Sequence, residues 1–359
     1  MSGVLDLLRP DLRDFAGYSS ARRTGLRGSV WLNANESPEA SLADGGLGLN
    51  RYPDPQPRAL RERMASLYGV APEQLMVTRG SDEGIDLLVR AFCRAGRDAV
   101  AIAPPCFGMY AVCARVQGAP LVAVPLLESE GQWRLDVDGI VDSVASLDVR
   151  VVFLCSPANP TGQALDLDTI RTLAAALAGR AVLVIDEAYG EYSAISSATT
   201  MLGEFPGLVV LRTLSKAYAL AGARIGAVLG DASLIAVLRN LSAPYPVPAP
   251  SAALALAALS DAAVAQARQR CTLAVEQREA LRRGLLSLPE VLRVYPSQGN
   301  YLLVRFAQTQ AVFDRLLTAG IVVRDMRAMD RLGDALRISV GTPAENAALL
   351  ATLQRQAAA

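Results

Sequence analysis

Histidine is missing from this sequence altogether, and lysine occurs once, at position 216; every other basic side chain is arginine. Without histidine, Ser-His-Asp and Cys-His catalysis are excluded. Zinc and non-haem iron centres lose their usual ligand, so no metal site is expected. Neither Gly-x-Gly-x-x-Gly nor Gly-x-x-x-x-Gly-Lys-Ser/Thr occurs, which removes the common dinucleotide and nucleotide loops. The formal net charge is zero, so no electrostatic footprint for nucleic acid or an anionic membrane is present. Cys93, Cys106, Cys113, Cys155 and Cys271 contain no Cys-x-x-Cys pair and are odd in number, which points to a reducing cytoplasm. Met1 to Arg13 is charged and has no long apolar stretch, so it is not read as a secretory signal. The longest candidate for membrane insertion, Ser251 to Leu259, is stopped by Asp261, short of the ~20 residues a spanning helix needs. By elimination, chemistry here leans on a bound cofactor and the one lysine.

Apolar residues are plentiful, 52% of 359, enough for one large or two medium cores. From about Asp54, short β-branched runs alternate with helical patterns. Pro57 to Tyr68 is predicted to be an amphipathic helix with proline at its start, and Gly80-Ser81-Asp82-Glu83 opens another that runs to about Arg94. Strands are expected at 75–78, 99–103, 121–124, 151–154, 182–185, 208–211 and 225–229. The alternation implies an α/β architecture: a mainly parallel sheet covered by helices, with ligands bound beyond the carboxyl ends of the strands. Asn159, Asp186, Ser215 and Lys216 follow such ends. A proline-rich connector, Ala243 to Pro250, leads to an Ala-rich helix and a long helix from about Val264 to Leu286. Beyond it, strands at 291–294, 301–306, 321–324 and 336–340 form a smaller α+β unit.

Thr213 to Gly226 reads Thr-Leu-Ser-Lys-Ala-Tyr-Ala-Leu-Ala-Gly-Ala-Arg-Ile-Gly, directly after the run Leu208 to Leu211. An amine at the end of a buried strand loses hydration, so its pKa should fall below the free value of about 10.4. A partly neutral lysine can attack a carbonyl and form a Schiff base, which permanently charged arginine cannot. Arg224, behind Gly222, is spaced to return a guanidinium to the same pocket and hold a phosphate. On its own, Lys216 could also be a surface lysine beside a glycine-rich turn. The Ser215-Lys216…Arg224 pattern resembles the cofactor-lysine segment of the aspartate-aminotransferase-like enzymes that use pyridoxal 5′-phosphate (PLP). Two upstream motifs are similar to the same family: Asn159-Pro160-Thr161-Gly162 to its Asn-Pro-x-Gly turn, and Asp186-Glu187-Ala188-Tyr189 to its strand-end Asp-x-x-Tyr. Each motif alone is weak; the three in this order are specific.

The resemblance implies the fold of type I PLP-dependent transferases: a large domain with a mainly parallel seven-stranded sheet, and a smaller α+β domain. The expected division is an arm and part of the small domain over 1–45, the large domain over 46–245 and the small domain over 246–359. It also implies site roles. Lys216 is the covalent cofactor lysine, and Asp186 is the carboxylate at the pyridine nitrogen. Asn159 and Tyr189 are donors at the phenolic oxygen. Phe107, in Pro104-Pro105-Cys106-Phe107-Gly108-Met109-Tyr110, is the ring stacker where relatives often carry tyrosine, and Tyr110 is placed in the same pocket. The phosphate cradle combines backbone N–H groups at Ser81, Asp82 and Glu83 with Ser215 and Arg224, since a helix N-terminus suits an anion. Locally, Asp186 reads equally as a helix N-cap, Asn159 as a turn residue and the aromatics as core.

Tyr18-Ser19-Ser20-Ala21-Arg22-Arg23, Trp31-Leu32-Asn33-Ala34-Asn35-Glu36 and Asn50-Arg51-Tyr52-Pro53-Asp54, with Gly80 to Asp86, are most similar to the histidinol-phosphate aminotransferases within that family. This implies a homodimer in which Tyr52 reaches the neighbouring subunit's cofactor phosphate. The implied substrates are histidinol phosphate and glutamate/2-oxoglutarate. Arg337 matches the arginine that binds the substrate carboxylate, and Arg324, with Tyr18 as helper, is the candidate for the phosphate end; Asn35 is a further substrate-binding candidate. Arg324 could instead pair with Asp325. Three other readings stay open: a threonine-phosphate decarboxylase-like lyase, a broad aromatic aminotransferase and, last, a PLP-binding regulator, for which no basic helix-turn-helix pattern is visible.

Overall fold

The computed structural model describes residues 3–22 and 28–354; Met1 and Arg23, quoted above, lie outside the described residues. Among these, the strands are β1 (Leu75–Thr78), β2 (Ala99–Ile102), β3 (Leu121–Ala123), β4 (Leu127–Ser129), β5 (Gln132–Arg134), β6 (Val149–Cys155), β7 (Val182–Asp186), β8 (Leu208–Thr213), β9 (Gly226–Leu229), β10 (Val291–Val294), β11 (Tyr301–Phe306), β12 (Arg324–Asp325) and β13 (Ala335–Ser339). The helices are α1 (Arg58–Tyr68), α2 (Ser81–Phe92), α3 (Met109–Gln117), α4 (Val137–Ser146), α5 (Leu167–Ala176), α6 (Ala232–Leu241), α7 (Ala249–Ala258), α8 (Asp261–Leu286), α9 (Thr309–Thr318) and α10 (Pro343–Gln354).

The large sheet has seven strands in the order β1-β9-β8-β7-β6-β2-β3. Pairs β8–β7, β7–β6, β6–β2 and β2–β3 are parallel, whereas β9 runs antiparallel to both β1 and β8. All strands except β9 therefore point the same way, and their carboxyl ends share one edge. Side chains alternate between two apolar layers, as the pleat requires. Val151 and Phe153 of β6 face a layer with α2, α3 and α6, while Val152 and Leu154 face one with α1, α4 and α5. Val4, Leu7 and Leu8 of the N-terminal arm bury in the first of these layers, against the large sheet's cover.

A four-stranded antiparallel sheet, β10-β11-β13-β12, forms the second unit, with α9 and α10 on its apolar face. The strand expected over 321–324 is reduced to the pair Arg324–Asp325, because Ile321 and Val323 turn to pack on that face while Val322 is exposed. The two units share one apolar mass: Tyr295, Leu303, Met326, Leu332 and Ala335 belong to the same cluster as the α1–α4–α5 layer. Helices α7 and α8, bent by 73° at their junction, bury Ala255, Val264, Ala267 and Cys271 in it. Among the described residues no single helix is long and apolar enough to cross a membrane.

Two glycines set the approach of α2 to the sheet edge. Gly80, with φ +77°, has the left-handed backbone that glycine tolerates, and a Cβ there would stand 2.6 Å from the Arg224 guanidinium. At Gly226 a Cβ would meet the Gly80 carbonyl carbon at 2.5 Å and the Ser81 nitrogen at 2.7 Å. The helix N-terminus thus sits directly over the β8–β9 edge.

Candidate active site

That edge encloses a cavity lined by Ser81 and Asp82 of α2, Phe107, Cys155 and Asn159 after β6, and Asp186, Ala188 and Tyr189 after β7. Thr213, Ser215, Lys216, Ala221 and Arg224 of the β8–β9 connection complete it. Residues from five separated sequence segments meet here, three of them brought together because β6, β7 and β8 are adjacent and parallel.

Asp186 closes β7, paired in register with Cys155 on one side and Leu211 on the other. It is 2% exposed, and its carboxylate accepts from the Tyr110 hydroxyl at 2.8 Å and the Ala188 N–H at 3.1 Å. Burial pushes its pKa up to about 6, against the lowering effect of those two donors.

Lys216 lies three residues past β8 in an open part of the cavity, its Nζ 5.6 Å from the centre of the Tyr189 ring. Among the described residues its Nζ has no hydrogen-bonding or ion-pair partner. Partial burial, and then the nearby Arg337 and Arg224 guanidinium groups, hold its pKa below the usual lysine value. Solvent reaches the amine, yet two cations and surrounding apolar walls favour its neutral form.

The opposite end of the cavity is cationic and rich in donors. Arg224 takes a left-handed backbone, φ +55°, which costs about 1–2 kcal/mol for a residue with a Cβ. Its guanidinium donates to Ser215 Oγ at 3.3 Å and to the Ala221 carbonyl at 3.3 Å, and pairs with Asp82 at 3.1 Å. Thr213 Oγ1 donates to Ser215 Oγ at 3.0 Å and accepts from the Ser215 N–H at 3.1 Å. Strain held at such a place is a mark of function. The amides of Ser81 and Asp82 open α2 beside this group. Glu83 does not line the cavity; its carboxylate is engaged by Arg79 at 2.9 Å.

Phe107 meets Tyr110 edge-on at 5.7 Å. On the far wall, Arg337 of β13 donates through Nη1 to Asn159 Oδ1 and lies 5.6 Å from the Tyr301 ring, while its neighbours Leu336 and Ile338 bury on the other face. Arg324 is the direct register partner of Arg337 on β12, so both arginines project from the same sheet face. The alternative of an Arg324–Asp325 pair is not adopted: Asp325 is held by Arg327 at 2.7 Å.

Arg324, Tyr18, Asn35 and Tyr52 do not line the cavity, and Arg337 touches it only through Asn159. Tyr52 stacks on Tyr245 at 4.4 Å, Asn35 is exposed with φ +54°, and Tyr18 borders a separate cleft with Arg22, Arg61 and Arg239. Sequence reasoning missed the cavity positions of Cys155 and Thr213, and Tyr110, expected in the pocket, is instead fully buried behind it, bonded to Asp186. Cys155 forms part of the Asn-Pro motif and Thr213 precedes Ser215, so adjacency to the motifs was the available signal. A larger cavity of about 580 Å³, walled by Tyr68, Glu191, Arg212 and Tyr218, lies behind the lysine segment, but it holds neither Lys216 nor Asp186.

With this geometry in view, the model of the class I and II aminotransferases matches residues 27–353. The chain belongs to that family. The histidinol-phosphate aminotransferase of Stenotrophomonas maltophilia (strain R551-3) is 56% identical to this aminotransferase over 356 residues, 99% of this chain and 98% of the relative. That of Xanthomonas euvesicatoria pv. vesicatoria is 56% identical over 354 residues, with 99% and 98% covered. Among solved structures, the histidinol-phosphate aminotransferase of Sinorhizobium meliloti, in complex with pyridoxal-5′-phosphate, aligns with TM-score 0.77 at 26% identity, covering 87% of this chain and 84% of that one.

The cofactor of the aminotransferase is PLP. The residues present fit it. A buried carboxylate suits a pyridinium nitrogen, a lowered-pKa amine suits the aldehyde carbon, and an arginine, two hydroxyls and a helix N-terminus suit a phosphate.

Proposed function

We propose that this chain transfers the amino group of L-histidinol phosphate to 2-oxoglutarate, giving imidazole-acetol phosphate and glutamate in histidine biosynthesis. The observation that carries the reading is the meeting of Lys216, Asp186 and Asn159 at one cavity, with Arg337 bonded to Asn159 beside it, in a chain 56% identical along its length to enzymes named for that reaction. Lys216 would hold PLP, and Asp186, Asn159, Tyr189, Phe107, Ser81, Asp82, Ser215 and Arg224 would orient it; bound there, it would supply an electron sink for the pair of electrons left when the substrate α-proton departs. Asp186 keeps a negative charge opposite the pyridine nitrogen. Lys216 Nζ, neutral for part of the time, would take the α-proton and deliver it to the cofactor's aldehyde carbon in the same half-reaction, and would run the transfer in reverse with 2-oxoglutarate. Arg337 would grip a carboxylate of glutamate or 2-oxoglutarate bidentately, and Arg324, on the same sheet face, would take the phosphate of histidinol phosphate. Histidinol phosphate and glutamate are both anionic, so one pair of arginines serves both.

A coupled assay with histidinol phosphate against a panel of amino donors tests this. Turnover on histidinol phosphate should exceed that on phenylalanine by at least about a hundredfold, and glutamate alone should bleach the cofactor band. Comparable phenylalanine turnover favours the broad aromatic reading. An unbleached band with carbon dioxide release from phosphothreonine favours the lyase.

The arm supports a dimer. Tyr18, Val30, Leu32, Leu42, Leu47 and Tyr52 are all exposed within a short stretch, and apolar surface of that extent marks an interface. In the proposed homodimer Tyr52, which does not line its own cavity, completes the partner's phosphate site, and Tyr18 and Asn35 approach its substrate. Light scattering should give twice the chain mass, and mixing inactive Tyr52→Ala with inactive Lys216→Ala protein should restore activity through hybrid sites. A monomeric mass with no restoration would overturn it. We also place the enzyme in the cytoplasm, in keeping with five free cysteines, and divide its working parts near residue 245, with the second sheet carrying the substrate arginines. Oxidised cysteines in protein isolated under thiol-blocking conditions would contradict the compartment.

A further inference from the structure

We propose that Tyr110 is a positioning residue of this site: its hydroxyl fixes the Asp186 carboxylate in the ionised form and in the orientation that the pyridine nitrogen requires. The inference rests on the PLP reading above and concerns a side chain that never needs to touch substrate. Tyr110 is fully buried at the start of α3 and donates to Asp186 Oδ2 at 2.8 Å. Its ring cannot swing away. It stacks on Phe153 at 4.9 Å with planes 5° apart, and the Phe107 ring meets it at 5.7 Å and 85°. One side chain therefore braces both the ring stacker and the counter-ion.

The surroundings of Asp186 show why a donor is needed. Asp82 of α2 and the adjacent Glu187 carry like charge, and burial also favours the neutral acid. Cys155 of β6, Tyr189 and Tyr301 of β11 face it as neutral groups, their ionisation opposed by burial. Lys216 is the cation near it. Two donors offset these: the Ala188 N–H, which belongs to the backbone, and the Tyr110 hydroxyl. Removing a hydrogen bond to an anion shifts the acid–base balance toward the protonated form. A protonated Asp186 no longer compensates a pyridinium charge.

Tyr110→Phe keeps the ring and its packing and deletes one hydroxyl. Cofactor-free wild-type protein and the variant are titrated with PLP from pH 5 to 9, with binding followed by absorbance. The variant should bind PLP roughly tenfold more weakly at pH 7, the scale of a hydrogen bond to a charged group. The acidic midpoint at which affinity is lost should move up by about one pH unit. Turnover should fall with it, while KM for glutamate stays within about twofold. In an Asp186→Asn background, Tyr110→Phe should add less than about a twofold change. An unmoved acidic midpoint overturns the proposal whatever happens to turnover, as does a full additive loss in the double variant. If Tyr110→Phe does not fold, 3,5-difluorotyrosine at position 110, a stronger donor, carries the same test: the midpoint must move down. Failure of the wild type to bind PLP would sink the cofactor reading, and this inference with it.

Discussion

Lys216→Ala protein is expected to take up PLP and yet turn over at least about 10⁴-fold more slowly than the wild type, the upper range for loss of a proton-transferring group. Binding survives because the phosphate and pyridine ends are held by other residues: Ser215, Arg224, the α2 N-terminus and Asp186. Turnover does not, because among the described residues no other amine faces the cavity, and the chain holds neither a histidine nor a second lysine to take over. Single-turnover kinetics with histidinol phosphate, beside a PLP titration, separates the two effects. Activity near that of the wild type would refute the assignment. The chain's composition sharpens a companion test: after borohydride treatment of the holoenzyme, a reduced cofactor tag on any peptide lacking residue 216 would be equally damaging.

Asp186→Asn should lower turnover by about 10²–10³-fold, the scale seen when one preorganised electrostatic partner is removed, and should weaken PLP binding. Its effect on stability has the opposite sign. The folded-state pKa of Asp186 is raised from the ordinary 3.8 to about 6, so the folded protein binds this proton more tightly than the unfolded chain does. The stabilising contribution is complete below pH 3.8 and is lost as pH rises through 6. Above that, cofactor-free wild-type protein carries a buried anion at a cost that asparagine does not incur. Apo Asp186→Asn should therefore melt higher than apo wild type at pH 8, with the gap closing toward pH 4. Melting curves at several pH values check the sign, and a variant that melts lower than wild type at pH 8 contradicts it.

Much of this was legible in the residues. The β-branched runs mark all seven strands of the large sheet, and Lys216, Asp186, Asn159, Ser215 and Arg224 come together because they sit at strand ends. Direction and order are another matter. The run at 226–229 is as apolar as its neighbours, and nothing in it signals that β9 alone is reversed. Sequence offers Tyr110 as a pocket residue or as core, and cannot give its bond to Asp186, since a buried aromatic looks the same whether or not its hydroxyl has a task. The strand over 321–324 was overcalled because alternating Ile321 and Val323 serve a loop pinned to the small sheet's apolar face. Tyr18, Asn35 and Tyr52 lie apart from the cavity, because the segment that carries them has no periodic pattern to fix where it packs.

Sharing of one apolar mass between the two sheets constrains how the substrate arginines can travel. Sliding the second sheet as a block would strip Tyr295, Leu303 and Met326 from the oil they share with α1, α4 and α5 and wet them. Any displacement of that sheet which kept the seam dry would have to tilt about this greasy pivot, swinging the rim that bears Arg324 and Arg337 farther than the strands beneath.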